Sequence, residues 1–136
     1  MADSFKFELV SPERLLVSED VESVVIPGSD GEMTVMAHHS PVMSTMKPGV
    51  VTVGKSGGQT DRYVVYGGFA DVLPESCTLL AESATSVADL DPADVAQRVQ
   101  NAREDVADAK DAEAKASAEA MLSHLELLEK AVSGAH

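Results

Sequence analysis

The chain has 136 residues, with 10 basic and 23 acidic side chains, a formal net charge of −13 and a pI near 4.5. That length holds one small domain plus an appendage, but not two ordinary domains. A surface this negative repels nucleic acid and anionic lipid, which argues against both as direct partners. The acid is not confined to a tail: residues 1–85 carry 12 acids against 5 bases (net −7), and residues 86–136 carry 11 against 5 (net −6).

The chain starts Met-Ala-Asp-Ser-Phe, without the basic and apolar regions of a signal peptide. No apolar run approaches the roughly 18 residues that span a bilayer. The one cysteine, Cys77, lies in the run Cys77-Thr78-Leu79-Leu80 and reads as a small buried hydrophobe in a reducing compartment. These features predict a soluble, cytoplasmic protein that can still sit on a membrane complex.

Short β-favouring runs separated by turn residues fill the first part. They are Phe5–Val10, Val21–Ile26, Met33–Met36, Val50–Val53, Arg62–Tyr66, Phe69–Leu73 and Thr78–Leu80. Such spacing predicts an antiparallel β-sandwich or barrel. Eight of the nine glycines and all five aromatics fall before residue 70, whereas thirteen alanines follow Thr85. The composition therefore predicts a β domain over residues 1–85 and a helical tail over 86–136.

The tail opens at Asp91-Pro92, an N-cap acceptor followed by Pro at the first helical position, with Asp94 in the first turn. Val95, Val99, Ala102, Val106 and Ala109 form one apolar stripe; Ala118, Met121, Leu125, Leu128 and Val132 form a second at heptad spacing. Each stripe is narrow and needs a partner, so an antiparallel two-helix hairpin is expected in preference to one long helix.

Most apparent chemical motifs dissolve on inspection. Gly49-Val50-Val51-Thr52-Val53-Gly54-Lys55-Ser56 satisfies the phosphate-loop pattern letter for letter. Its interior nevertheless reads as a strand, and Gly57-Gly58 follow where a helix should begin, so a hairpin turn is expected. His38 and His39, adjacent in a strand, would point to opposite faces, and no neighbour completes a metal site. Gly67-Gly68-Phe69 reads as a close backbone crossing. No catalytic group, metal or cofactor is implied. The segment from Pro27 to Gly49 is more suggestive, because a glycine turn displays Glu32 and is followed by Met43 and Met46. These methionines suit either an adaptable contact surface or the sandwich core.

The series Pro27-Gly28-Ser29-Asp30-Gly31-Glu32, His39-Ser40-Pro41, Lys47-Pro48-Gly49, Gly67-Gly68-Phe69 and Leu90-Asp91 resembles the ε subunits of bacterial rotary ATP synthases, in order and spacing, from about Phe5 onward. The resemblance implies a non-catalytic central-stalk subunit with an N-terminal β-sandwich and a C-terminal helical hairpin. Such a subunit couples the γ shaft to the c-subunit ring on the cytoplasmic side of the inner membrane, without inserting into it. It also implies that Gly31 and Glu32 face the ring, that Ser11, His39 and Ser44 lie on the γ or ring side, and that the tail could reach the α/β head.

Two departures stand out. Some relatives bind ATP through I/L-D-x-x-R-A, but Leu90-Asp91-Pro92-Ala93-Asp94-Val95 has Asp94 where the arginine would be, and an aspartate repels phosphate. Inhibitory tails in the family present basic side chains, whereas from Asp111 onward this one sets Lys115 and Lys130 against Asp111, Glu113, Glu119, Glu126 and Glu129. Weak or absent inhibition of ATP hydrolysis is therefore expected. The competing reading is a small-ligand β-sandwich that dimerises through its tail.

Overall fold

The computed structural model describes residues 3–133. They divide into two compact units that meet between Ala88 and Asp89.

The first unit is a β-sandwich of ten strands: β1 (Phe5–Val10), β2 (Leu15–Val21), β3 (Ser23–Gly28), β4 (Gly31–Met36), β5 (Val42–Met46), β6 (Gly49–Gly54), β7 (Thr60–Val65), β8 (Gly68–Leu73), β9 (Ser76–Ala81) and β10 (Ala84–Ser86). Their order is β10-β7-β6-β3-β5-β8-β9-β1-β2, with β4 on β3. Strand β3 joins the halves. It pairs with β4 along its length, with β6 over Ser23–Val25, and with β5 only at Gly28 opposite Met46. All ladders are antiparallel except β1 against β9, which brings the start of the chain beside a strand seventy residues later.

Alternation drives this arrangement. Phe5, Phe7 and Leu9 of β1 are buried while Lys6, Glu8 and Val10 turn outward. The same period puts Cys77, Leu79 and Ala81 of β9, Ala70 and Val72 of β8, and Val51 and Val53 of β6 into one core with Val24, Ile26 and Val35. Burial of these aliphatic groups is the main stabilising term. Burial, reinforced by the charge of Asp71, also raises the Cys77 thiol to about 12, so it is an inert core group.

Three strands, β2, β5 and β10, had no counterpart among the expected runs, and Val21 ends β2 instead of opening the following strand. The Glu19-Asp20 pair masks β2, and β5 looks like a methionine-rich loop because prolines flank it. The expected uncertainty over the methionines resolves in both directions: Met46 is 5% exposed and belongs to the core, and Met43 is 71% exposed.

The second unit is a pair of packed helices, α1 (Pro92–Asp108) and α2 (Ala112–Ser133). Asp91 caps α1 by accepting a hydrogen bond from the Ala93 amide at 3.0 Å, and Pro92 occupies the first turn. Ala109 leaves the helix with extended backbone, and the Asp111 carboxylate then accepts from the Ala114 amide at 2.7 Å to start α2. Capping chemistry thus makes the break that no Gly or Pro marks. On α1, Val95, Val99 and Ala102 are buried as the stripe predicts. On α2, Leu125, Leu128 and Val132 are buried, but Met121 is 55% exposed and Leu122 is turned further in than Met121. Four-residue spacing from Ala118 is as good a helical neighbour as three, and leucine takes the seam.

Candidate docking surface

The β3–β4 connection is a tight turn held from the side. Gly31 has φ +128°, a conformation that side chains rarely adopt, and a Cβ on Gly28 would come 2.8 Å from the Gly31 carbonyl oxygen. The Ser29 amide donates to the Thr45 carbonyl at 3.0 Å, the two hydroxyls lie 2.5 Å apart, and the Lys47 amide donates to the Pro27 carbonyl at 2.9 Å. Strand β5 therefore fixes the turn, and the side chains of Asp30 and Glu32 remain exposed. A carboxylate on a rigid, exposed turn loses little entropy when it pairs with a cation.

From Thr45 a row of outward side chains runs across five strands. Thr45 is opposite Phe69, Phe69 opposite Leu80, Leu80 opposite Val10, and Val10 opposite Leu15. Phe69, Leu80 and Leu15 are 53%, 50% and 53% exposed, although their strand neighbours Ala70, Leu79 and Val17 face the core. Exposed Met43 and Leu73 lie further along the same outer face, beside and beyond Asp71 and apart from this row. A contiguous exposed apolar face on a folded domain marks an interaction site.

Ser11 sits at the end of the row. Its amide donates to the Arg14 carbonyl at 2.9 Å, and it lines a shallow hollow with Val10, Pro12, Phe69 and Leu80. Ser44 is half-buried one residue before Thr45 and donates its hydroxyl to the Thr45 carbonyl. Ser11, Ser44, Gly31 and Glu32 therefore gather at one end of the sandwich. His39 does not join them. It lies in the turn after β4, near Pro74, where the Pro74 carbonyl accepts from the His38 amide at 2.8 Å. That end is about 13 Å along the strands from the apolar row, four residues at strand rise. The two histidines thus occupy the turn after β4, with His38 at φ +66°, so the alternation of a strand does not govern them.

The remaining motifs settle as structural devices. Gly49–Gly54 is strand β6, and Ser56–Gly58 makes a single 3-10 turn with no helix after it. Lys55 Nζ lies 2.6 Å from an Asp61 oxygen and 3.2 Å from a Glu19 oxygen, contacts that hold its pKa above the usual lysine value. A lysine so neutralised, beside two carboxylates, does not cradle phosphate. A Cβ on Gly68 would meet the Leu80 carbonyl oxygen at 2.0 Å, so this glycine serves a backbone crossing. In the tail, Leu90 is half-buried, Asp91 is committed to capping, and Asp94 pairs with Arg98 at 3.1 Å. Among the described residues no group of His, Cys, Asp and Glu could hold a metal ion, and no helix is long and apolar enough to cross a membrane.

A β-sandwich with an open apolar row beside a braced carboxylate turn has the form of a docking subunit that works within an assembly. Residues 4–87 match the family model for the β-sandwich domain of the ATP synthase delta/epsilon chain. The chain is 67% identical over 132 residues to the ATP synthase epsilon chain of Mesorhizobium japonicum, covering 97% of this chain and 98% of that one. It is 54% identical, with the same coverage, to the epsilon chain of Brucella canis. Its fold superposes with TM-score 0.81 and 27% identity on a chain of the Euglena gracilis mitochondrial ATP synthase, solved with its c-ring, over 95% of this chain and 81% of that one. The chain belongs to the ATP synthase epsilon chain family. It is accordingly a structural subunit of that complex and carries no catalytic site of its own.

Proposed function

We propose that this subunit couples the two rotor parts of the central stalk, with the outer face of its sandwich docked on the γ shaft and its Gly31-Glu32 turn against the c-ring. One observation carries the reading. The braced turn and the apolar row lie at the same end of one sandwich and are joined through the Ser29–Thr45 contacts. Torque received at the turn would pass into β5 and across the paired strands without crossing a flexible segment. Ser11 lies within this end of the face, Ser44 stands beside it on the inner side of β5, and His39 contributes from the opposite rim. The complex would place the subunit peripherally on the cytoplasmic face of the inner membrane.

The tail has a lesser part in this reading. Asp91 and Asp94 are engaged within α1, and the acidic α2 would be repelled by an acidic loop of the α/β head. The tail therefore inhibits ATP hydrolysis weakly or not at all.

The test replaces Phe69 and Leu80 together by serine in the assembled enzyme. ATP hydrolysis should persist while ATP-driven proton pumping falls sharply and the subunit washes off detergent-solubilised complex. Full pumping and retention in that variant would overturn the docking assignment. In a separate arm, truncation after Ala88 should leave hydrolysis nearly unchanged; a large rise would overturn the view of the tail.

A further inference from the structure

The apolar row is bordered by acid on both sides. One step along the strands from Phe69 and Leu80, on the same outward face, lie Asp71, Thr78 and Glu8, mutually opposite across β8, β9 and β1. That step is two residues, about 7 Å at strand rise. Asp71 and Glu8 are half-buried, and none of the ion pairs among the described residues includes either of them. The Ser18 hydroxyl donates a long hydrogen bond to Glu8 Oε2 at 3.5 Å. On the other side of the row, Glu82 lines the hollow beside Phe69 and Leu80, and Glu13 stands in the adjacent turn, with Arg14 the only base there.

This arrangement has a consequence for what can dock. A partner that covers the row removes water from carboxylates about 7 Å away. Unless it brings positive charge, those groups are desolvated without compensation. An apolar or acidic surface is thereby disfavoured, and one that pairs apolar groups with cations is selected. From Phe69 to Leu15 the row crosses three strand spacings, about 14 Å. A helix covers that length in roughly ten residues.

We propose that Asp71 and Glu8 are specificity residues of the docking face, which takes a partner segment about three helical turns long, with an apolar stripe flanked by lysine or arginine. The inference rests on the docking reading above and deepens it by stating the chemistry required of the γ surface.

The experiment titrates full-length chain against purified γ subunit between about 0.05 and about 0.5 M KCl, where screening becomes strong. Four proteins are compared: wild type, Asp71→Asn/Glu8→Gln, Asp71→Lys/Glu8→Lys and Phe69→Ser. Each is first checked for an unchanged denaturation midpoint; all three substituted positions are outside the core. Wild-type affinity should fall with salt. The amide pair should lose about five- to tenfold at low salt and most of the salt slope, and the lysine pair more. Phe69→Ser should bind more weakly at every salt concentration with the slope retained. An amide pair that binds like wild type with the same slope overturns the inference while leaving the docking reading intact. If Phe69→Ser also binds like wild type, the docking reading itself fails.

Discussion

The sandwich and the hairpin reach stability by different routes. In the sandwich, contacts join residues far apart in the chain: Phe7 beside Cys77, Gly28 beside Met46, Glu22 bonded to the Gly54 carbonyl. No strand of it is stable alone, so the unit forms as a whole and resists local opening. In the hairpin, two helices adjacent in sequence meet through small groups, Val95, Val99 and Ala102 on one side, and most of the first half of α2 is exposed alanine and charge. The Arg103–Glu126 ion pair joins the helices at 3.6 Å but is about half exposed, so it adds little. The difference suits a rigid platform carrying a softer arm, and it can be tested by breaking each part separately.

The largest effect should come from Gly68→Ala. The new Cβ would overlap the Leu80 carbonyl at a position with φ +126°, so strands β8 and β9 must separate. Combined backbone strain and lost pairing should cost about 3 kcal/mol or more, read as a lower denaturation midpoint of the entire sandwich. An unchanged midpoint would mean that the crossing is not tight. Next comes Leu128→Ala, at a position 5% exposed on α2. It should cost about 2–3 kcal/mol. Because the units are built separately, the loss should show as faster amide exchange in the helices while sandwich amides keep their protection. A fall in sandwich protection would join the two regions that are here distinguished.

How readily each region could be read from the sequence follows the same division. The start of α1 was legible because Asp91-Pro92 acts on its own next two residues; the expected cap is the one found. The turn at Gly28–Gly31 was legible for the same reason. Strand β2 was not, because its edge position lets Ser18 and Asp20 face solvent while only Val17 and Val21 are buried. The apolar row had no linear signature at all. Val10, Leu15, Phe69 and Leu80 come from four strands, and only the register places them side by side. Met121 was misplaced because spacings of three and four from Ala118 are equivalent until a partner helix selects one.

A milder change to the arm is Asp91→Ala, which removes the acceptor of the Ala93 amide. About 1 kcal/mol of helix stability should be lost. Exchange should quicken in the first turn of α1 and remain as it was in α2; equal quickening of both would mean that the helices open only together.

The smallest effect should be a pH dependence confined to the arm. His124 is half-buried on α2, and burial lowers its pKa below the ordinary value of 6.5. The unfolded segment, with an ordinary imidazole, then binds more protons than the folded one as pH drops below 6.5. The contribution of neutral His124 is full above that value and declines towards the lower folded pKa. Protection of the α2 amides, corrected for intrinsic exchange, should be slightly lower at pH about 5.5 than at about 7.5. Carboxylates shared by both proteins cancel when His124→Gln is compared with wild type, so the substitution should remove this component alone. An identical pH profile in the two proteins would show that protonation of His124 is no harder in the folded arm than in the unfolded one. The sandwich amides, followed in the same samples, provide the internal reference against which the arm's change is read.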